Sequence, residues 1–598
     1  MGNVTAGGPR APKDPTKKRP AVYLMLDDVI EGTLREDGRY AEICFLEGRV
    51  KAKIMALAPE MPEEIAEGLQ TCAGLRKYVH SIGIAASAQE KELLSEKLQF
   101  SLNCRRENDY GGTVYRAEVP LNGQEVLIEL ADYPASELDT ALASFRMQFE
   151  RYMTAKMTII FYLNDGFEVP ELIPDPPVDF ASPEYRRMIE ASLLQEGNLF
   201  RLKRAIAKAK RGEEVTIAYI GGSITQGAGA KPIGTNSYAY QSCLAFRRRF
   251  GAGDGSNVHL VKAGVGGTPS ELGLCRYENE VLRGGTVQPD IVVIEFAVND
   301  AGDETNGVCY ESLALMAAKG PGTPAVVLLF AVFMDDFNLQ DRLACVGENY
   351  GFPMVSLKNA VTPQFYQEKP VLTKRQYFYD LYHPSNTGHR IMADCLDYLW
   401  ERADAATQMF SEVDYDRAPA IGNTYQGLKV FTRADILALG GDGMCYPGGV
   451  SGEDRTGDAG AEKAGRVLQA VKSLNAGSFS GTDREVQYVE RDADAFATPE
   501  FPENWMYAGD GTSGSFRMTI RCRDLLLIYK DSGDRKFGKA EAWVDGSLAR
   551  VIDPLEVGWN HCNAYIIHTG ECAAEHEVEL RLAEADKCFT ILGFGYTE

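Results

Sequence analysis

The sequence predicts an α/β domain built on a parallel sheet, with an α+β region before it and a β-sandwich after it. Three observations predict this. Between Val215 and Arg402 short apolar runs alternate with helix-length amphipathic stretches, the pattern of a parallel sheet covered by helices on both faces. From Thr407 the helical signal falls away, and short alternating runs recur between Gly and Asp turns, as in a β-sandwich. Upstream, Pro170, Pro174, Pro176, Pro177 and Pro183 set apart a mixed region that begins at Ala21.

Taken in order, residues 1–20 are Gly-, Pro- and Lys-rich and predict a disordered tail. Residues 21–168 form the α+β region. Strands are expected at Val22–Leu26, Tyr40–Leu46, Val50–Leu57, Thr113–Val119, Glu125–Leu130 and Met157–Leu163, and helices at Glu63–Gln70, Glu90–Leu98 and Ser136–Tyr152. No motif there carries chemistry, and accessory, oligomerisation and binding roles all stay open, homo-oligomer formation included. Residues 169–183 read as a proline-rich linker.

Residues 184–406 form the α/β domain. Its helix Asn198–Arg211 has a basic face that reads as solvated. Strands follow at Ile217–Ile220, Val258–Lys262, Ile291–Phe296, Ala325–Phe330 and Met354–Leu357, with helices at Tyr238–Phe250, Glu271–Leu282, Asp336–Tyr350 and Thr387–Arg402. Residues 407–598 form the sandwich. Within it, Gly440–Asp458 reads as an acidic loop and Glu462–Leu474 as a short helix. Strands are expected at Arg484–Tyr488, Ser515–Arg521, Leu525–Tyr529, Lys539–Val544, Ala564–His568, Glu577–Leu582 and Phe589–Gly593.

Composition narrows the partners. Across 598 residues, 62 Lys and Arg face 85 Asp and Glu, a net charge of −23. Such a surface repels phosphate backbones and anionic lipid, so neither nucleic acid nor membrane is an expected partner. No apolar stretch of spanning length occurs. The 13 cysteines are odd in number and scattered without a C-x-x-C, which predicts reduced thiols in a cytoplasmic protein rather than a zinc site or a disulfide framework.

Chemistry centres on Thr216–Thr225, where the run Ile217–Ile220 ends in Gly221-Gly222-Ser223-Ile224-Thr225. Gly222 and Gly227 have phosphate-loop spacing, but Ala228 stands where the lysine belongs. Thr225 replaces the second glycine of a G-x-S-x-G elbow. A serine at the carboxyl edge of a sheet is left, either a helix cap or a nucleophile. Three further blocks lie at the same edge: Lys262-Ala263-Gly264-Val265-Gly266-Gly267-Thr268, Glu295-Phe296-Ala297-Val298-Asn299-Asp300 and Asp380-Leu381-Tyr382-His383-Pro384. A serine hydroxyl needs a base, and an imidazole oriented by a carboxylate three residues upstream supplies one. Backbone amides of Ser223 and Gly267 and the Asn299 side chain are candidate donors to a tetrahedral oxyanion.

Together, in this order, the blocks resemble the SGNH hydrolase family, the GDSL-type esterases, over Val215 to about Arg402. The resemblance implies a flavodoxin-like three-layer α/β/α domain with a parallel sheet of about five strands. It implies Ser223 as nucleophile, His383 as base, Asp380 as its orienter, and Ser223, Gly267 and Asn299 as the oxyanion hole. Lys262 and Ala297 depart from the family blocks, and Gly264 and Gly266 compete with Gly267. Similarity to bacterial carbohydrate acetyl esterases with a carbohydrate-binding-module-like sandwich implies removal of O-acetyl groups from oligosaccharides. It also points to Trp559, ahead of Trp505 and Trp543, as a residue to stack on a sugar. This chemistry needs no metal or organic cofactor. A thioesterase or lysophospholipase of the same fold and a non-catalytic glycan-binding protein are the competing readings.

Overall fold

The computed structural model describes residues 19–35, 38–106, 111–439, 445–446, 467 and 469–598, with 495 and 513 left out. The expected tail up to residue 18, most of the acidic loop at 440–458 and the first part of the helix expected at 462–474 lie outside the described residues.

Residues 21–163 form two antiparallel sheets. In one, Ala21–Glu31, Thr154–Leu163, Val79–Ala88 and Val126–Glu129 lie side by side. In the other the order is Thr33–Leu34, Tyr40–Phe45, Asp139–Phe149, Lys97–Arg106 and Val114–Pro120. Their inward side chains, among them Val22, Ile82, Phe100, Phe145 and Phe161, share one core. Three expectations fail here. Val50–Leu57 is a helix: Val50, Ala52, Ile54 and Ala56 alternate as in a strand, but the helix is buried around most of its girth, so periodicity does not distinguish the two. Asp139–Phe149 is a strand, although Leu142, Phe145 and Phe149 are spaced like a helix face. Lys91–Ser95 is a single 3-10 turn, and Lys97 already starts the next strand.

The central sheet has the order Leu193–Gln195, Met354–Ser356, Ala325–Phe330, Ile291–Glu295, Val215–Gly221, Val258–Gly264. Every neighbouring pair is parallel except the short Leu193–Gln195 edge. Numbered along the chain, the five parallel strands run 2-1-3-4-5, the flavodoxin-like order, which places a ligand crevice between strands one and three. Both faces are apolar because both are covered. Ile217, Tyr219 and Val293 pack with helices Phe200–Lys210, Tyr238–Phe250 and Asn386–Ala405. Ala218, Ile220 and Val292 pack with Ser270–Arg276, Val308–Lys319 and Gln340–Tyr350.

Nine of the C-terminal strands form an antiparallel sheet along Lys429–Phe431, Cys588–Tyr596, Phe516–Asp531, His561–Leu582, Ala540–Val544 and Ser547–Ile552, with branches, and Tyr488–Glu490 pairs separately with Ala497–Pro499. Two pairs of expected strands are single strands, Phe516–Asp531 and His561–Leu582. The polar Asp524 reads as a turn, yet it sits in a register break, its Oδ2 accepting from Thr597 Oγ1 at 2.6 Å and from Arg523 Nε at 2.8 Å. Around that break the sheet branches: Val471–Asn475 pairs with the first half of Phe516–Asp531, and Cys588–Tyr596 with the second. Val471–Asn475 is thus a strand where the end of a helix was expected. Trp505 is fully buried with Phe516 and Phe594 in the core of this sheet.

Candidate active site

Gly222 links the strand Val215–Gly221 to one helical turn, Ser223–Gln226, so the Ser223 amide has no acceptor within that turn. Asn299, at the end of the next parallel strand, lies directly on Gly222. A Cβ there would stand 2.1 Å from Asn299 Oδ1 and 2.6 Å from its Nδ2, so a glycine here leaves the Asn299 amide in place. Both loops open into the crevice between strands one and three.

His383 bridges Ser223 and Asp380. Its Nε2 lies 3.0 Å from Ser223 Oγ, and its Nδ1 lies 2.9 and 3.0 Å from the two Asp380 oxygens. The Tyr382 and His383 amides also donate to Asp380 Oδ1, each at 2.9 Å. With Nδ1–H donating to the carboxylate, the Nε2 lone pair faces the hydroxyl. Asp380 is buried. Burial alone would raise its carboxyl, but the His383 ring and the Lys53 ammonium outweigh it and hold the group below the ordinary carboxylate range. Asp380 is therefore ionised at neutral pH.

The three candidate glycines separate by what their amides do. Gly264 ends the strand and pairs with Gly221. The Gly266 amide donates to Gln226 Oε1 at 2.9 Å. Gly267, at φ 76°, has no backbone acceptor among the described residues. Asn299 Oδ1 is buried without a donor among the described residues. Lys262, the departure from the family block, is buried and donates to the Gln226 carbonyl at 2.7 Å, and burial pulls its pKa down to about 8.

Sequence reasoning missed the residues that hold these loops. Gln487 donates to the Gly266 carbonyl at 2.8 Å while its own Oε1 accepts from the Cys562 amide at 2.9 Å. Gln226 donates to Glu490 at 2.7 Å, and Asp492 accepts from the Lys262 amide at 2.8 Å. Trp559 and His561 close on Gly267: a Cβ there would stand 2.8 Å from the indole and 3.2 Å from His561 Nε2. His561 Nδ1 meets Asp531 at 3.0 Å, and its buried Nε2 has no partner among the described residues. A cavity of about 220 Å³ opens here, lined by Gly267, Asn299, Glu304, His561, Asn563 and Tyr565. Trp559 stands beside it, 37% exposed. On the opposite side His389, kept neutral by burial with a pKa near 4, bonds the Ala228 carbonyl at 3.0 Å and steadies the segment after Ser223.

Five predicted residues, Ser223, Gly267, Asn299, Asp380 and His383, thus meet at one sheet edge, each on a different loop or turn except the last two. Residues 219–391 match the model of the GDSL-like Lipase/Acylhydrolase family. The resemblance drawn from the sequence blocks is borne out, and all five residues fall inside the matched span. Among solved structures, a two-domain esterase (CEX) active on acetylated mannans aligns at 23% identity and TM-score 0.53, covering 69% of this chain and 99% of that one. A structure of such a CEX esterase co-crystallized with mannopentaose aligns at 24% identity and TM-score 0.51 with the same coverage. These likenesses are of fold. No curated protein matches the chain.

Proposed function

We propose that the chain is a serine esterase that removes O-acetyl groups from oligosaccharides through an acyl-Ser223 intermediate. The observation that carries this reading is the His383 bridge, 3.0 Å to Ser223 Oγ and 2.9 Å to an ionised Asp380. In the first half-reaction His383 Nε2 takes the hydroxyl proton as Oγ attacks the acetyl carbonyl. The oxyanion is met by the Ser223 and Gly267 amides and the Asn299 amide group, each such donor lowering the barrier by about 3 kcal/mol. The imidazolium, stabilised by Asp380, then gives its proton to the departing sugar oxygen. Water repeats the sequence on the acyl-enzyme and releases acetate.

The sugar part of the reading rests on different support. Asn299, Glu304, His561 and Asn563 in the cavity beside Gly267 and the exposed Trp559 next to it offer hydrogen bonds and an aromatic face, which suit a carbohydrate better than an acyl chain. The fold neighbour acts on acetylated mannans. The test is hydrolysis of p-nitrophenyl acetate, longer p-nitrophenyl esters and acetylated mannan, xylan and chitin oligosaccharides by wild type, Ser223→Ala and His383→Ala. Each variant should lose all but a trace of activity, about 10⁴-fold or more. Full activity in both would overturn the triad, and a preference for long acyl esters would replace the acetyl reading with a thioesterase or lysophospholipase.

A further inference from the structure

The helix Val50–Leu57 contributes to two cores: Val50 and Ile54 pack among the N-terminal sheets, and Ala56 packs with the helices over the central sheet. Lys53 lies on the same helix and is only 3% exposed. Its Nζ has no hydrogen-bond partner among the described residues and stands 3.6 Å from the centroid of the Tyr379 ring. Tyr379 directly precedes Asp380, and its amide donates to the His383 carbonyl at 2.8 Å, closing the turn that carries both groups. A buried ammonium is costly without compensation. Here the Tyr379 ring face and, at longer range, the Asp380 charge supply it.

We infer that Lys53 is a positioning residue for the Asp380–His383 pair, its ammonium clamped on Tyr379 to hold the turn and to place a positive charge behind Asp380. The N-terminal unit then completes the site rather than merely accompanying it. The inference rests on the esterase reading above. The charged and titratable groups around the contact are Asp28, Glu42 and Cys44 of the N-terminal strands, Lys231 after the nucleophile, and Tyr379, Asp380 and His383. Lys231 is already paired with Glu42 at 2.7 Å, and that leaves Lys53 as the cation acting on Asp380. A cation there favours the ionised carboxylate and opposes protonation of the imidazole, so its removal shifts protonation of the pair to higher pH.

The experiment follows labelling of Ser223 by a fluorophosphonate, read by intact-mass spectrometry across the acid limb of the rate. Wild type, Lys53→Gln, Lys53→Met and Lys53→Arg are compared, each with its thermal melt. The two neutral variants should label about tenfold more slowly, with the limb midpoint raised by roughly half a unit, and the arginine variant should recover both. Should one neutral variant not fold, the other carries the same comparison. Neutral variants that match wild type, or that slow without moving the midpoint, would overturn the assignment while leaving the esterase reading intact. A wild type that is not labelled at Ser223 would instead overturn the esterase reading, and this inference with it.

Discussion

The two neighbours of the central sheet hold opposite halves of the site, and they use different chemistry to do it. On the N-terminal side the contact is through charge: Lys53 lies over Tyr379, and Glu42 pairs with Lys231, against the turn that carries Asp380 and His383. On the C-terminal side ion pairs such as Arg283–Asp492 at 2.7 Å also occur, but the loops beside Ser223 are held by hydrogen bonds to backbone and by ring packing, with Gln487 and Asp492 on the glycine loop and Trp559 and His561 on Gly267. The second contact also borders a cavity of about 220 Å³. On the proposed esterase reading the difference teaches a division of labour: one neighbour sets proton-transfer geometry, which every ester needs, and the other shapes the space beside the acyl oxygen, where substrates differ.

The largest effects should come from the acid–base half and be blind to substrate. Asp380→Asn removes the acceptor that fixes the imidazole tautomer, so kcat should fall about 10⁴-fold on p-nitrophenyl acetate and acetylated oligosaccharide alike. Because the Asp380 carboxyl is held below its ordinary range, it stays ionised as pH falls past the imidazole. The wild-type acid limb of kcat/KM should therefore have the slope of a single proton. A loss confined to the oligosaccharide, or a two-proton limb, would break the division. Next comes Asn299→Ala, which removes a donor used mainly in the transition state. Its kcat should fall about 10²- to 10³-fold with KM little changed on either substrate, measured by steady-state kinetics.

How much of this was legible in the sequence follows from distance along the chain. Gly222-Ser223 after a strand and Asp380 three residues before His383 are local patterns, so the proposed nucleophile and its acid–base pair could be read directly. The central strands were legible because burial on both faces makes them continuous apolar runs. The supporting contacts were not: Lys53 meets Tyr379, Gln487 meets Gly266 and Asp531 meets His561 only through folding, and a lone Lys or Gln carries no spacing signal. The Val50–Leu57 helix was misread for the same reason that makes it important, since it is buried between the N-terminal sheets and the helices over the central sheet and keeps little polar face to set its period. Asp524 hid the continuity of Phe516–Asp531 because a charge inside a strand reads as a turn, whereas folding pairs it with Arg523 and gives its Oδ2 a hydrogen bond from Thr597 at the far end of the chain.

On the C-terminal side Gly267 can be made to report the ring packing. Gly267→Ala adds strain at φ 76° and a Cβ 2.8 Å from the Trp559 indole. The rate should fall about 30-fold on both substrates, roughly 2 kcal/mol. Removing the indole as well, in Gly267→Ala with Trp559→Ala, should return part of that loss on p-nitrophenyl acetate, because the clash is relieved and only the backbone strain persists. Strict additivity of the two substitutions would mean that the indole does not press on the loop.

The smallest effect is the one that separates the halves most sharply. Trp559→Ala leaves Ser223, His383 and Asp380 untouched, so turnover of p-nitrophenyl acetate should change less than about twofold, within the range of a surface substitution. An acetylated oligosaccharide that stacks on the indole should lose about tenfold in kcat/KM, carried by KM, since one aromatic contact contributes on the order of 1 kcal/mol in binding. Lys53→Gln provides the mirror image, with both substrates slowed equally through kcat. If Trp559→Ala also slowed both substrates equally, the indole would be acting through Gly267 on the oxyanion site, and the C-terminal neighbour would be a second clamp rather than the part that selects the sugar.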